Sequence, residues 1–191
     1  MPHTIRLSST LESSSIYGPG HRFVVWVQGC RLACPGCWNR DLWDHEGGYE
    51  TSVDSLLAEI SSANGIEGVT LLGGEPLEQA APVLDLIRGA KGMGLTVMLY
   101  SGFEDHELDG TQRECVESSD IVILGRYIAS LRDTGLRWRG SSNQEVRMVS
   151  DAYESLEVEE RGESEVTVDA DGTISVAGYP QAWLLKTLDG L

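Results

Sequence analysis

Four short apolar runs dominate the middle of this chain, and segments of helical spacing separate them. The runs are RFVVWVQ (22–28), GVTLLGG (68–74), LTVMLYSG (95–102) and DIVIL (120–124). A strand with one wet face alternates apolar and polar residues; these runs do not, so both faces are expected to be buried. Between the first two, SVDSLLAEISSA (52–63) puts Val53, Leu56, Leu57 and Ile60 on one helical face, with Thr51 or Ser52 placed to cap it. LEQAAPVLDLIRGAKGMG (77–94) also reads as a helix, with Pro82 near its first turn and glycines at its end. Buried strands joined through helices predict an α/β fold whose core is a parallel sheet with right-handed crossovers. The units are too few for a closed eight-fold barrel, so a partial, open (β/α) barrel is expected.

In such sheets ligands collect at the carboxyl ends of the strands. The loops GCRLACPGCWN (29–39), GGEP (73–76) and YSGF (100–103) follow three successive runs, and all three are expected to open on one face. The last part of the chain differs. EVTVDADGTISVAG (165–178) alternates apolar and polar residues around Asp171-Gly172, a hairpin signal, and YPQAWLLKTL (179–188) reads as a short closing helix. The expected organisation is one α/β domain over 1–149, with a small C-terminal β-hairpin and helix appendage over 150–191 packed on it.

Cys30, Cys34 and Cys37 lie within eight residues, and Cys115 is the only other cysteine. MPHTIRLSSTLESSS has no apolar stretch that could serve as a secretory signal, and no run of about 18 apolar residues occurs. A cytoplasmic location is therefore expected, where thiols stay reduced and a cysteine cluster marks a metal site or a catalytic device. With an apolar fraction of 41%, the chain needs no disulfide staples. Its net charge of −16 leaves too little Lys and Arg for nucleic acid. Nine carboxylates against Arg161 between Asp151 and Asp171 form either a solvated face or an acidic docking surface.

Three thiols are one short of a structural zinc site, which would need His21 or His45 as a fourth ligand. An iron–sulfur cubane resolves the count differently. Three thiolates leave one iron open, and an open metal position is where a small chelating molecule can bind.

Cys30-x-x-x-Cys34-x-x-Cys37 has the spacing of the radical S-adenosylmethionine superfamily. YGPGHRFVVWVQGCRLACPGCWNRDLWD (17–44), LLGGEPL (71–77), YSGF (100–103), GRYIASLRD (125–133) and RWRGSSNQ (137–144) resemble, in order, the group that activates anaerobic ribonucleotide reductase and related glycyl-radical enzymes. The resemblance covers roughly residues 16–145. It implies a [4Fe-4S] cluster held by Cys30, Cys34 and Cys37, with one open iron. It further implies reductive cleavage of S-adenosyl-L-methionine to methionine and a 5′-deoxyadenosyl radical, which abstracts hydrogen from a glycine of a partner protein. A one-electron donor such as flavodoxin or ferredoxin is implied as well; from the charge balance and the lack of a long apolar run, no nucleic-acid or membrane partner is expected.

Carried over by motif, Gly73, Gly74 and Glu75 would line the methionine amino group, since an ammonium needs acceptors. Ser101 and Gly102 would sit over the ribose or carboxylate. Gly36 suits close backbone approach to a ligand, and Trp38 either shields the cluster, stacks on adenine or fills the core. Arg22 and the loop 18–20 are expected beneath the cluster or against the cofactor, Arg22 alternatively as an ordinary ion-pair partner, and Cys115 in the core. RGSSNQ (139–144) is open between pocket lining and partner contact. Leu124 and Tyr17 depart from the group's usual residues, and the tail from 150 exceeds its shortest members, which bears on the radical's target. Two other functions stay in view: a radical enzyme acting on a peptide or small metabolite, and a non-enzymatic iron–sulfur or zinc protein.

Overall fold

The computed structural model describes residues 3–168, 171–178 and 186–187. Strands β1 (Thr4–Ser14), β2 (Arg22–Val27), β3 (Tyr49–Ser52), β4 (Gly68–Gly73), β5 (Thr96–Ser101), β6 (Ile121–Leu124) and β7 (Glu145–Met148) form one sheet in the order β3-β1-β2-β4-β5-β6-β7. The four apolar runs are β2, β4, β5 and β6, and each pairs with the next in parallel. The fold is α/β as expected, but the sheet is mixed: β1, β3 and β7 are antiparallel to their neighbours. These flanking strands are missing from the sequence reading because they carry little apolar signal. In β1 the sheet's core receives little more than Ile5 and Leu7.

Three helices, α1 (Val53–Ser62), α2 (Ala80–Gly92) and α3 (Gly110–Ser118), bury one face of the sheet. Alternation along each strand sorts the side chains: Val25, Leu71, Leu99 and Val122 meet Leu56, Ile60, Leu86 and Ile87 of the helices. Ser52 caps α1 by accepting from Ser55 N at 3.0 Å. Pro82 lies in the first turn of α2, where its missing N–H costs no helical bond. Cys115 is buried in α3, its Sγ donating to Ala80 O at 3.3 Å, and burial pushes the thiol up to about 12.

The opposite face carries Met98, Ile121 and Ile123, and Trp138 covers them with Tyr153, Leu156 and Val158 from the C-terminal segment. This segment continues into a separate antiparallel hairpin, β8 (Ser164–Val168) and β9 (Ile174–Gly178). Asp171 Oδ1 accepts from Thr173 N at 2.9 Å in the turn. The closing helix expected over 179–188 falls outside the described residues except for 186 and 187. Among the described residues, no helix is long and apolar enough to cross a membrane.

Arg22 is at the amino end of β2, whereas the cysteine loop follows its carboxyl end. This overturns the expectation that Arg22 lies beneath a cluster. Its fully buried guanidinium donates to Thr70 Oγ1 at 2.7 Å, Val69 O at 2.8 Å and Thr96 Oγ1 at 3.0 Å. It also reaches Tyr153 OH at 3.3 Å, and Tyr153 in turn donates to Glu67 Oε1 at 2.5 Å. Arg22 thus ties together the bottoms of β2, β4 and β5, and Tyr153 fastens the C-terminal segment to them.

Candidate active site

The parallel strands end level, Val27 opposite Gly73 and Ser101 opposite Leu124. Their loops surround one cavity of about 290 Å³, near the lower bound of roughly 300–1,000 Å³ for ligand sites. Cys30, Cys34, Cys37, Trp38, Gly73, Gly74, Glu75, Ser101 and Gly102 all line it. The convergence expected from strand order is therefore present.

The cysteine loop gets its shape from backbone reversals. Ala33 and Gly36 both adopt left-handed conformations, φ 46° and 76°, and Cys37 N closes a turn on Cys34 O at 3.0 Å. Gly36 faces Ala129, so its smallness serves packing against the loop after β6. Gly29 N and Cys30 N donate to Leu42 O at 2.9 Å and Trp43 O at 3.2 Å, which folds the descending part of the loop back on its start. Glu78 holds the loop from outside, accepting from Arg31 N at 2.7 Å and pairing with His45 Nε2 at 2.7 Å.

The three thiols are half-buried. Burial pushes the Cys30 thiol up, against the pull of the Leu32 and Ala33 N–H groups; burial also raises Cys34, against the N–H of Tyr127. Backbone N–H groups aimed at sulfur are the usual support of thiolate ligands. Among the described residues no three His, Cys, Asp or Glu side chains gather as around a single metal ion. His45 is engaged by Glu78, and His21 Nδ1 by Ser13 Oγ at 3.2 Å. The donor set therefore does not fit one tetrahedral zinc. It fits a cubane, which takes its thiolates at three separate iron corners.

On the second loop, Gly74 is held where a side chain cannot fit: a Cβ would lie 2.2 Å from Gly29 O. Gly74 N and Glu75 N donate to Val27 O and Gly29 O, both at 2.8 Å, which seals the end of β4 against the cysteine loop. Glu75 is 1% exposed. Its Oε1 accepts from Ser101 Oγ at 2.8 Å and Leu77 N at 2.9 Å, and its Oε2 from Gly102 N at 2.7 Å. Burial lifts its carboxyl to about 7, against those three donors. A carboxylate has about four acceptor positions, so one on Oε2 is left for a ligand donor. The Ser101 hydroxyl is turned into Glu75, and Gly102 makes room for Leu32 of the cysteine loop, whose Cδ1 would be 2.5 Å from a Cβ there.

Trp38 is 54% exposed, with the Arg132 guanidinium 5.4 Å from its ring centre, so it is a rim residue and not core. RGSSNQ holds its own neighbourhood together. Gln144 Oε1 accepts from Gly140 N at 2.9 Å, Gln144 Nε2 donates to Gly125 O at 3.0 Å, and Ser141 Oγ accepts from Ile128 N at 3.1 Å. These bonds fix residues 125–128, the segment that directs Tyr127 N–H at Cys34.

The cavity has a wall that sequence reasoning missed. Arg161, Gly162 and Glu163 of the C-terminal segment and Val176, Ala177 and Gly178 of β9 line it too. The segment is strapped down by Glu163 to Arg137 Nε at 3.2 Å, by Glu160 to Arg137 N at 2.8 Å and by a Glu160–Arg139 ion pair. Glu160 and Glu163 of the acidic run are thus paired within the chain. No motif in 150–178 announces this; the one signal is the pairing of its acids with RWR (137–139).

Residues 16–147 match the family described as a 4Fe-4S single cluster domain. Over 139 residues the chain is 31% identical to the anaerobic ribonucleoside-triphosphate reductase-activating protein of Salmonella typhimurium, covering 69% of this chain and 90% of that protein. The Escherichia coli K12 protein of the same name is 30% identical over the same shares. The pyruvate formate-lyase 1-activating enzyme of Escherichia coli K12 is 36% identical over 125 residues, 62% of this chain and 50% of that enzyme. With the cysteine triad, the buried glutamate and the shared cavity in place, the chain belongs to the radical S-adenosylmethionine family of 4Fe-4S glycyl-radical-enzyme activating proteins.

Proposed function

We propose that this protein converts a glycine of a partner enzyme into a glycyl radical, using S-adenosylmethionine and a [4Fe-4S] cluster. The observation that carries this reading is that Cys30, Cys34, Cys37 and Glu75 share one cavity at the strand ends of a chain that covers 90% of an activating protein. Cys30, Cys34 and Cys37 are the cluster ligands, and the fourth iron is left to the substrate. When bound, the cluster supplies the single electron that splits S-adenosylmethionine into methionine and a 5′-deoxyadenosyl radical. The remaining work falls to the chain. Oε2 of Glu75 and the carbonyl groups of Gly73 and Gly74 accept from the methionine ammonium. Ser101 and Gly102 act through Glu75, fixing its carboxylate, and the backbone of Gly102 flanks the ribose or carboxylate. Gly36 keeps the cysteine loop close to residues 127–129, and Trp38 shields the rim. The hydrogen atom then passes from the partner's glycine Cα to the 5′ carbon.

The finer architecture follows the same reading. The four parallel strands with their helices form a partial, open (β/α) barrel over 1–149, and 150–191 is an extension packed on it. The protein works in the cytoplasm, with a flavodoxin- or ferredoxin-type donor supplying the electron.

The test is anaerobic reconstitution with iron and sulfide, followed by dithionite and S-adenosylmethionine. Formation of 5′-deoxyadenosine, with deuterium acquired from a glycine-deuterated partner, is the expected result. A fully loaded cluster that yields no nucleoside product would overturn the reading.

A further inference from the structure

The hairpin pairs Val166 with Val176 and Val168 with Ile174. Directly opposed residues of an antiparallel pair share a face, so four β-branched side chains form one apolar strip. All four are exposed, Val168 by 63%. The hairpin is nevertheless fixed in place: Ser14 Oγ and Ser15 Oγ donate to Glu165 at 2.5 and 3.1 Å, and Gly178 N donates to Tyr17 OH at 3.2 Å. An exposed apolar strip on an anchored hairpin is an aggregation liability unless something binds there.

Two observations say what binds. At its inner end the strip runs from Val176 through Ala177 and Gly178 into the cavity lined by the three cysteines. Charge accompanies it: Asp171 is exposed at the turn that ends the strip, and the chain as a whole carries a net charge of −16. We propose that the β8–β9 strip is the docking rail for the glycine-bearing segment of the partner, taken as an extended chain with apolar residues beside the glycine and basic residues on its flanks. This rests on the functional reading above, because hydrogen abstraction from a main chain requires a segment of the partner to reach the cavity. An extended segment presents alternate side chains to a β surface, and a strip of Val and Ile accepts small apolar ones. Asp171, on a chain of net charge −16, favours basic flanks and repels acidic ones. The strip lies beyond residues 16–147, the stretch that matches the family.

The probe is a fluorescein-labelled nine-residue peptide with a central glycine, valines beside it and arginines at its ends, and a second version ends in glutamates. Fluorescence anisotropy with the reconstituted full chain is expected to show the arginine version binding about tenfold more tightly, and the double variant V168T/I174T weakening it about tenfold. Neither residue lines the cavity, so 5′-deoxyadenosine formation by the variant without peptide should equal that of the native protein. Equal peptide binding by both proteins, with normal nucleoside formation, overturns the rail alone. Weaker binding accompanied by a lower melting temperature assigns the pair to packing, and native dimerisation abolished in the variant assigns the strip to a second copy; either result also overturns it. A native protein that forms no 5′-deoxyadenosine overturns the functional reading instead.

Discussion

Ser101 gives its hydroxyl hydrogen to Glu75 Oε1 at 2.8 Å, and the loops after β4 and β5 are joined through that bond. Gly102 N adds a second link to Oε2 at 2.7 Å. Two walls of the cavity therefore depend on one buried carboxylate. Glu75→Ala leaves Ser101, Gly102 and Leu77 with buried donors unpaired, at a cost of about 1–3 kcal/mol for each such group left unsatisfied. The expected outcome is a lower denaturant midpoint and an intact cluster, with affinity for S-adenosylmethionine reduced about tenfold or more, measured by equilibrium binding. Unchanged affinity would remove Glu75 from the ligand site.

The same carboxyl makes stability depend on pH. It ionises near 4.5 ordinarily and near 7 in the fold. Between those values the native protein keeps a proton that the unfolded chain has lost, so Glu75 lowers stability as pH rises, by up to about 3 kcal/mol over the whole window. Urea titrations at pH 5 and pH 8 should show this difference, and Glu75→Gln should shrink it. Affinity for S-adenosylmethionine should move the opposite way, rising through about pH 7 as the acceptor proposed for the ammonium becomes charged.

Cys34→Ala should abolish cluster assembly, read as iron and sulfide content near zero after reconstitution. The side chain is only half-buried, so the apo protein's melting temperature should stay within a few degrees of the native value.

The legible parts of this molecule are those with uniform chemistry. Four apolar runs announced β2, β4, β5 and β6, and the pair Thr51-Ser52 before Val53 announced the start of α1, with Ser52 the residue that caps it. Strand order then brought Cys30, Glu75 and Ser101 to one face. What escaped was written in partnerships. β1 is mostly polar, and its place beside β2 depends on Ile5 and Leu7 finding a surface that β2 and α1 create. Arg22 was expected beneath the cluster or against the cofactor, or as an ion-pair partner, yet the five steps of extended strand from Arg22 to Val27 separate the two ends of β2 by about 17 Å. The wall formed by the C-terminal segment was hidden for the same reason: Glu160 and Glu163 read as part of a solvated face or an acidic docking surface until Arg137 and Arg139 lie beside them.

Glu78 supports a cysteine ligand without lining the cavity. Glu78→Ala removes the acceptor for Arg31 N and His45, and iron should be lost in air about tenfold faster, followed by the decay of visible absorption. Glu78→Gln keeps an acceptor for Arg31 N and should recover most of the difference.

Arg22→Met should separate folding from chemistry. It strips Thr70, Thr96 and Val69 O of a buried donor and should cost about 2–5 kcal/mol. Because Arg22 is at the far end of β2, the folded fraction should bind S-adenosylmethionine as the native protein does.

The strap at Arg161–Glu163 has a consequence in time. On the ribosome Arg161 is made 17 positions after Gln144, the last cavity-lining residue before it, an interval of roughly 1–3 s at about 5–20 residues per second. For those seconds a nascent chain can already have its thiols gathered while one side of their chamber has not yet been synthesised. Freight too bulky for the finished doorway has that window in which to be delivered.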